Sequence, residues 1–230
     1  MYDLTNTSSE IREAKPQLAI FGIGAIEQHT KNLPVGTDWI TVSELSKRVA
    51  REINAFLVPA LPFSMSQCHG RMAGTVWLKP ETLAKVVEDT VLSLYEQGIK
   101  KVVILNGHGG NFILEPVVQE LNIIYKDLSI ILVELEFAGI TDIHAGTMET
   151  SLQLYLNEKN VRTDWVDYVP PVGREFLDYA VMELISPQGV WGTQSRGNKE
   201  LGKKIMDTSV KNCIKKIHEI FNALEEKRSD

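Results

Sequence analysis

The chain has 230 residues, 43% of them hydrophobic, and a formal net charge of −6. That size suits a single α/β domain spanning residues 1–230, with ample length for a core. The acidic balance argues against generic nucleic-acid binding, which needs a basic face for phosphates, but leaves a small anionic substrate open. The two cysteines, Cys68 and Cys213, form no CxxC pair or disulfide framework, which points to a reduced, cytoplasmic setting. The opening MYDLTNTSSE lacks the basic-then-apolar order of a signal peptide. No apolar run approaches the roughly 20 residues of a spanning helix. A soluble, intracellular protein with no membrane partner is expected.

In chain order, Gln17 to Ile23 is a short apolar run and predicts a buried strand. Gly24 to Thr37 is polar and turn-rich. Asp38 to Ile53 turns helical, with Ile40, Leu45, Val49 and Ile53 on one stripe. Phe56 to Leu61 is a further short apolar segment. Pro80 to Gln97 predicts a helix, with Pro80 in its first turn and Gly98 as its stop. Lys101 to Leu105 is a β-branched strand, followed at once by NGHGGN and a helical stretch from Phe112 to Tyr125. Ser129 to Leu135 is a third strand, and Thr147 to Leu156 is helical. Tyr168 to Arg196 is irregular, either a lid or a plain surface excursion. Asn198 to about Lys227 closes the chain as a long amphipathic helix. Strands alternating with helices imply a mainly parallel sheet covered on both faces.

Four of the five histidines sit in polar, glycine-flanked segments, and each segment follows an apolar run. In parallel α/β sheets ligands bind beyond the carboxyl ends of the strands, so these segments are expected to meet at one edge. Glu27 and His29 are two apart, and in extended backbone such residues share a face. A hard carboxylate beside an imidazole suits Zn, Mn or Fe(II). Read singly, Glu27 is a surface charge and Asp38 a residue of a helix N-terminus; read beside His29 and His108, both belong to a metal site. The glycines around His108 let backbone approach a metal or a substrate closely, while Asn106 and Asn111 either fix the loop or bind substrate. Glu149 serves as a metal ligand, as a general base, or as a helix N-terminal charge behind a Thr147 cap. His144 is placed to protonate a leaving nitrogen. His69 and Ser66 are weaker candidates for the substrate pocket, and His218 reads as a surface residue. Trp77, Trp165 and Trp191 either wall the pocket or pack in the core.

Two alternatives fall away. GIGAIE lacks the third glycine of a dinucleotide fingerprint and carries Glu27 in its place, a carboxylate that a bound anion would not favour. No GxSxG elbow supports serine catalysis.

GIGAIEQHTKNLPVGTD, NGHGGN and HAGTMETS, in that order between Gly22 and Leu156, closely resemble the creatininase (creatinine amidohydrolase) family. That family includes creatinine amidohydrolases, a formamidopyrimidine deformylase and a peptidase that trims the mycofactocin precursor. The resemblance implies a three-layer α/β/α sandwich and a homo-oligomer, hexameric in the creatininases. It implies two divalent ions held by Glu27, His29, Asp38 and His108, with Asp38 bridging them. His144 would belong to the catalytic apparatus, and Glu149 would contact metal or water. The pattern departs from the family at two points. Creatininases carry a glutamate ligand two residues after the NGH histidine, where this chain has Gly110, so Glu149 becomes the candidate for the second ion. Thr30-Lys31-Asn32 replaces the usual Gly-Pro-His, and Lys31 would set a cation at the rim.

The expected activity is metal-dependent hydrolysis of a non-peptide C–N bond in a small cyclic amide or formamide. The N–H groups of Gly109 or Gly110 would stabilise the oxyanion. A mycofactocin-type peptidase is the second reading, and a non-catalytic metal-containing binding protein the third.

Overall fold

The computed structural model describes residues 1–135 and 142–229. The chain opens with helix α1 (Ser8–Ala14), whose Thr7 and Glu10 form a reciprocal capping box. Then come β1 (Leu18–Ile23), α2 (Thr37–Glu52), β2 (Phe56–Leu57), α3 (Pro80–Glu96), β3 (Lys101–Asn106), α4 (Leu114–Ile124) and β4 (Ser129–Glu134). The rest is α5 (Thr147–Asn157), β5 (Asp167–Tyr168), α6 (Met182–Ile185), β6 (Gly192–Thr193) and α7 (Lys199–Ser229). β2, β1, β3 and β4 lie in that order in one sheet with every pairing parallel.

The sheet is covered on both faces, as parallel sheets are. Ala19, Phe21 and Ile23 of β1 pack with Val102 and Ile104 of β3 against Leu83 and Val87 of α3 and Leu114 of α4. Ile20, Val103, Leu105 and Ile131 face the other way, onto Val42 and Leu45 of α2, Leu152 of α5 and Ile205 of α7. This is the expected three-layer α/β/α sandwich. Burying side chains such as Val42 and Leu45 contributes about 1.5–3 kcal/mol each, which fixes α2 on the sheet.

Several boundaries differ from the sequence reading. The apolar segment 56–61 pairs as a strand only at Phe56 and Leu57, with Leu61 returning as an isolated bridge to Ile23. The helix expected from Phe112 begins at Leu114, because Phe112 is 70% exposed on the preceding turn. The irregular stretch from Tyr168 holds the β5–β6 ribbon, a 3₁₀ turn at Arg174–Asp178 and α6. Among the described residues no helix is long and apolar enough to cross a membrane.

One contact sets the position of the site. A Cβ on Gly24 would lie 2.4 Å from the Cα of Trp39. The first turn of α2 therefore rests directly on the end of β1, and Asp38, in that turn, is delivered to the strand edge.

Candidate metal centre

The four histidine segments meet beyond the carboxyl ends of β1 and β3, at the floor of a cavity of about 1070 Å³. Glu27, Asp38, His108, His144 and Glu149 line that floor, and His29 lies fully buried behind it. Glu27 is 1% exposed, so it is no surface charge.

Each imidazole is oriented by a backbone carbonyl on its far side. His29 Nδ1 donates to the Glu27 carbonyl at 3.1 Å, His108 Nε2 to the Met65 carbonyl at 2.9 Å, and His144 Nε2 to the Gln28 carbonyl at 2.7 Å. Spending one N–H this way turns the other ring nitrogen inward, free in the neutral ring to take a proton or a cation. His29 Nε2 then stands 3.3 Å from Asp38 Oδ1 and 3.6 Å from Glu149 Oε1. His108 Nδ1 stands 3.1 Å from Asp38 Oδ2 and 3.4 Å from Glu27 Oε1. His144 Nδ1 lies 3.4 Å from the same Glu27 oxygen.

The residues thus form the groups Glu27–Asp38–His108 and His29–Asp38–Glu149, each with ligand atoms close enough to share one ion, and a third group of Glu27, His29 and His144. The two oxygens of Asp38 face different groups, as a bridging carboxylate requires. Glu27 Oε2, His29 Nε2 and Asp38 Oδ2 are buried without hydrogen-bond partners. Lone pairs crowded among buried carboxylates repel one another unless a proton or a cation sits between them. The donor set, imidazole nitrogen with carboxylate oxygen, fits a divalent transition ion.

The electrostatics agree. Burial pushes Glu27 up to about 7, against the pull of His108. Burial opposes the charge on His108, but Glu27 and Asp38 outweigh it and hold the imidazole up at about 9. His29 is likewise raised, burial being overcome by Asp38 and Glu149. Asp38 is lowered below the usual carboxylate range, its burial offset by His29 and His108. His144 moves the other way, to about 4, through burial and then His29. A neutral His144 with a bare Nδ1 is a proton acceptor at rest. To protonate a leaving nitrogen, as the sequence reading expects of it, His144 must first take up a proton there.

The NGHGGN loop is held by its asparagines. Asn106 donates to Glu134 at 2.8 Å and accepts from Asn111 at 2.9 Å. Asn111 accepts from the Met65 N–H at 3.1 Å, so this loop grips both backbone groups of Met65. Gly110 belongs to the same device. A Cβ there would lie 2.4 Å from His108 Nε2 and 2.7 Å from the Met65 carbonyl. The family's glutamate at that position is therefore sterically incompatible with this orientation of His108. Glu149 reaches the centre instead, from the first turn of α5, with its other oxygen accepting the N–H of Ala145. Ala145 adopts φ 51°, a left-handed conformation that is uncommon outside glycine and clusters at functional sites.

His69 belongs with the others. It is 3% exposed, its ring centroid lies 4.4 Å from that of His144, and its Nε2 is 3.9 Å from Glu27. Gln28, to which the sequence reading gave no role, organises this pair. Its amide donates to His69 Nδ1 at 2.8 Å and to the Gly189 carbonyl at 2.9 Å. His69 therefore carries its proton on Nε2, facing the cavity that it lines. Gly109 and Gly110 also line the cavity, whereas Ser66 is fully buried outside it, turned toward Glu27. None of Trp77, Trp165 and Trp191 lines it. Trp191 is buried, exchanging backbone hydrogen bonds with His144. Cys68 lines the cavity, but burial and then Glu27 push its thiol up to about 12, which leaves no thiolate for nucleophilic work. His218 is exposed on α7. Lys31 does not line the cavity; it pairs with Asp164 on the surface. Instead the excursion at 174–182 covers one side and contributes Arg174.

Comparison with known proteins bears on the family and the fold. A family model described as creatinine amidohydrolase matches residues 4–217. The mycofactocin precursor peptide peptidase of Mycobacterium tuberculosis (strain CDC 1551 / Oshkosh) is 26% identical, over 92% of this chain and 88% of its own. The creatinine amidohydrolase of Pseudomonas putida is 28% identical, over 86% of this chain and 88% of its own. A solved mutant creatininase of Zn-Zn type superposes with a TM-score of 0.81 at 23% identity, covering 95% of this chain and 98% of that one. With a family match over nearly its whole length and the same fold beneath it, the chain belongs to the creatininase family.

Proposed function

We propose that this protein is a metal-dependent amidohydrolase that cleaves a C–N bond of a small cyclic amide or formamide. One observation carries the reading: three inward-turned imidazole nitrogens and three carboxylates converge at the floor of a cavity, with buried lone pairs that only a proton or a cation relieves. Glu27, Asp38 and His108 would hold one divalent ion, and His29, Asp38 and Glu149 the other, Asp38 being shared. Zn, Mn or Fe(II) suits these donors. Such ions polarise a carbonyl and lower the pKa of water to about 7.

The chain's own groups do the rest. His144 accepts the proton of the attacking water on Nδ1 and returns it to the departing nitrogen. His69 offers a fixed Nε2–H to the substrate, its tautomer set by Gln28. Gly109 and Gly110 line the cavity, and their N–H groups would stabilise the charge gathering on a carbonyl oxygen. Glycine at position 110, where creatininases carry a glutamate ligand, argues against creatinine itself as substrate.

The volume of the cavity supports a second reading. About 1070 Å³ is ample for the end of a peptide, and one relative at 26% identity is a precursor peptide peptidase. The test covers both readings: turnover of lactams, formamides, cyclic ureas and short peptides, before and after complete removal of metal. Hydrolysis of the small amides that stops on chelation is expected. Turnover that survives full metal removal would sink the metal mechanism, and cleavage of peptides alone would favour the second reading. A homo-oligomer is carried over from the family resemblance. Phe176, Tyr179 and Leu184 leave apolar surface exposed on the covering segment, and sedimentation velocity measures the assembly.

A further inference from the structure

Apart from the histidines, the charged residues that line the cavity among the described residues are Glu27, Asp38, Glu149, Glu175, Asp178 and a single cation, Arg174. Arg174 stands in the 3₁₀ turn that covers the metal centre. Its Nη2 donates to the Gly109 carbonyl at 3.4 Å, one residue from His108. Among the described residues it forms no ion pair, although two acids share its turn. The Glu175 carboxylate folds back over Gly173. A guanidinium presents five N–H donors in a rigid fork, so most of this one's donors are left for something that enters the cavity. The segment that carries it is anchored beyond the turn. Met182 is fully buried, and the Gly189 carbonyl accepts from Gln28 inside the site.

We propose that Arg174 forms an anion subsite at the mouth of the cavity, so that the substrate presents a carboxylate or phosphate beside the bond to be cleaved. A planar fork pairs bidentately with such groups and fixes their orientation. The inference deepens the amidohydrolase reading by naming the charge of the substrate. It takes from that reading only that the cavity receives a substrate. Lys31, which the sequence puts at the rim, is spent on Asp164 and has no part in it.

The test uses two formamides that differ only in charge, N-formylglycine and N-formylglycinamide. Each is titrated calorimetrically into the metal-loaded wild type, Arg174→Gln and Lys31→Gln, with inorganic phosphate as competitor. The wild type and Lys31→Gln should bind the carboxylate roughly tenfold more tightly than the amide. Phosphate should displace it. Arg174→Gln should bind the two compounds alike. A charge preference that survives in Arg174→Gln overturns the proposal, because the bound ions rather than Arg174 would then take the carboxylate. Equal binding by the wild type overturns it too. So does a variant that only loses metal affinity with its preference intact, which is the behaviour of a charge balancing an acidic cavity. Turnover of the same compounds is a separate readout. An Arg174-dependent preference without hydrolysis of any amide leaves the subsite standing and removes the amidohydrolase reading.

Discussion

Glu27, Asp38 and His108 meet where β1 and β3 end, all nearly inaccessible, the two carboxylates at 1% and 4% exposure. The second group shares Asp38 and the buried His29, but its third member, Glu149, comes from α5 and is 16% exposed. In the first group Glu27 and His108 are therefore fixed by adjacent parallel strands and by a loop clamped to Met65, with Asp38 added from the first turn of α2. The second depends on a helix N-terminus reached through left-handed backbone at Ala145. The difference teaches that one half of the centre follows largely from strand order, while the other half can be supplied from a different element once position 110 is closed.

The largest expected effect comes from removing what the halves share. Asp38→Asn should strip both ions and lower turnover by more than the roughly 10–100-fold seen when outer-sphere partners of a metal are lost. Elemental analysis of the purified variant checks it. Single changes then separate the halves. His108→Ala and Glu149→Gln should each leave one ion of two, and a variant set in which Glu149→Gln keeps both would show that the second half is assembled otherwise.

Adding back the family's glutamate probes the same division. Gly110→Glu should not restore a second ligand; it should displace His108 from the Met65 carbonyl. The overpacking should cost about 1–3 kcal/mol in urea denaturation. A stable variant with raised metal affinity would contradict the steric argument.

The smallest effect is that of pH, roughly tenfold in apparent metal affinity per unit for each proton displaced. The metal-free protein should hold protons on His29 and His108, so loading an ion must release them. Calorimetry in buffers of different ionisation enthalpy counts the release, and the share from His108 should fade above about 9, where that ring is already deprotonated. The sign for stability follows. His108 and Glu27 both have raised folded values, about 9 and about 7. Their contribution is complete below the unfolded values of 6.5 and 4.5, and is lost as pH rises through the folded ones. Asp38 has the opposite sign, contributing above its unfolded 3.8. Between about pH 7 and 9 the metal-free protein should therefore lose stability, and bound metal should counter the loss.

The sequence by itself determined the sheet, its parallel character, and the edge at which Glu27, His29, Asp38 and His108 gather. Strand hydrophobicity and helix periodicity are local signals, and a parallel α/β sheet puts the ends of its strands together whatever the loops contain. It also exposed Gly110 as a departure, though only as a missing ligand. Tertiary structure alone showed that position 110 is filled by the His108–Met65 bond. It alone placed Gln28 between His69 and Gly189, 161 residues away along the chain, turned the bare nitrogen of His144 inward, and exchanged Lys31 for Arg174 as the cavity's cation. Those assignments rest on contacts between segments with no periodicity of their own, where direction is set by packing from distant elements. A charge in an irregular loop carries no mark of which way it will face until the rest of the chain has closed around it.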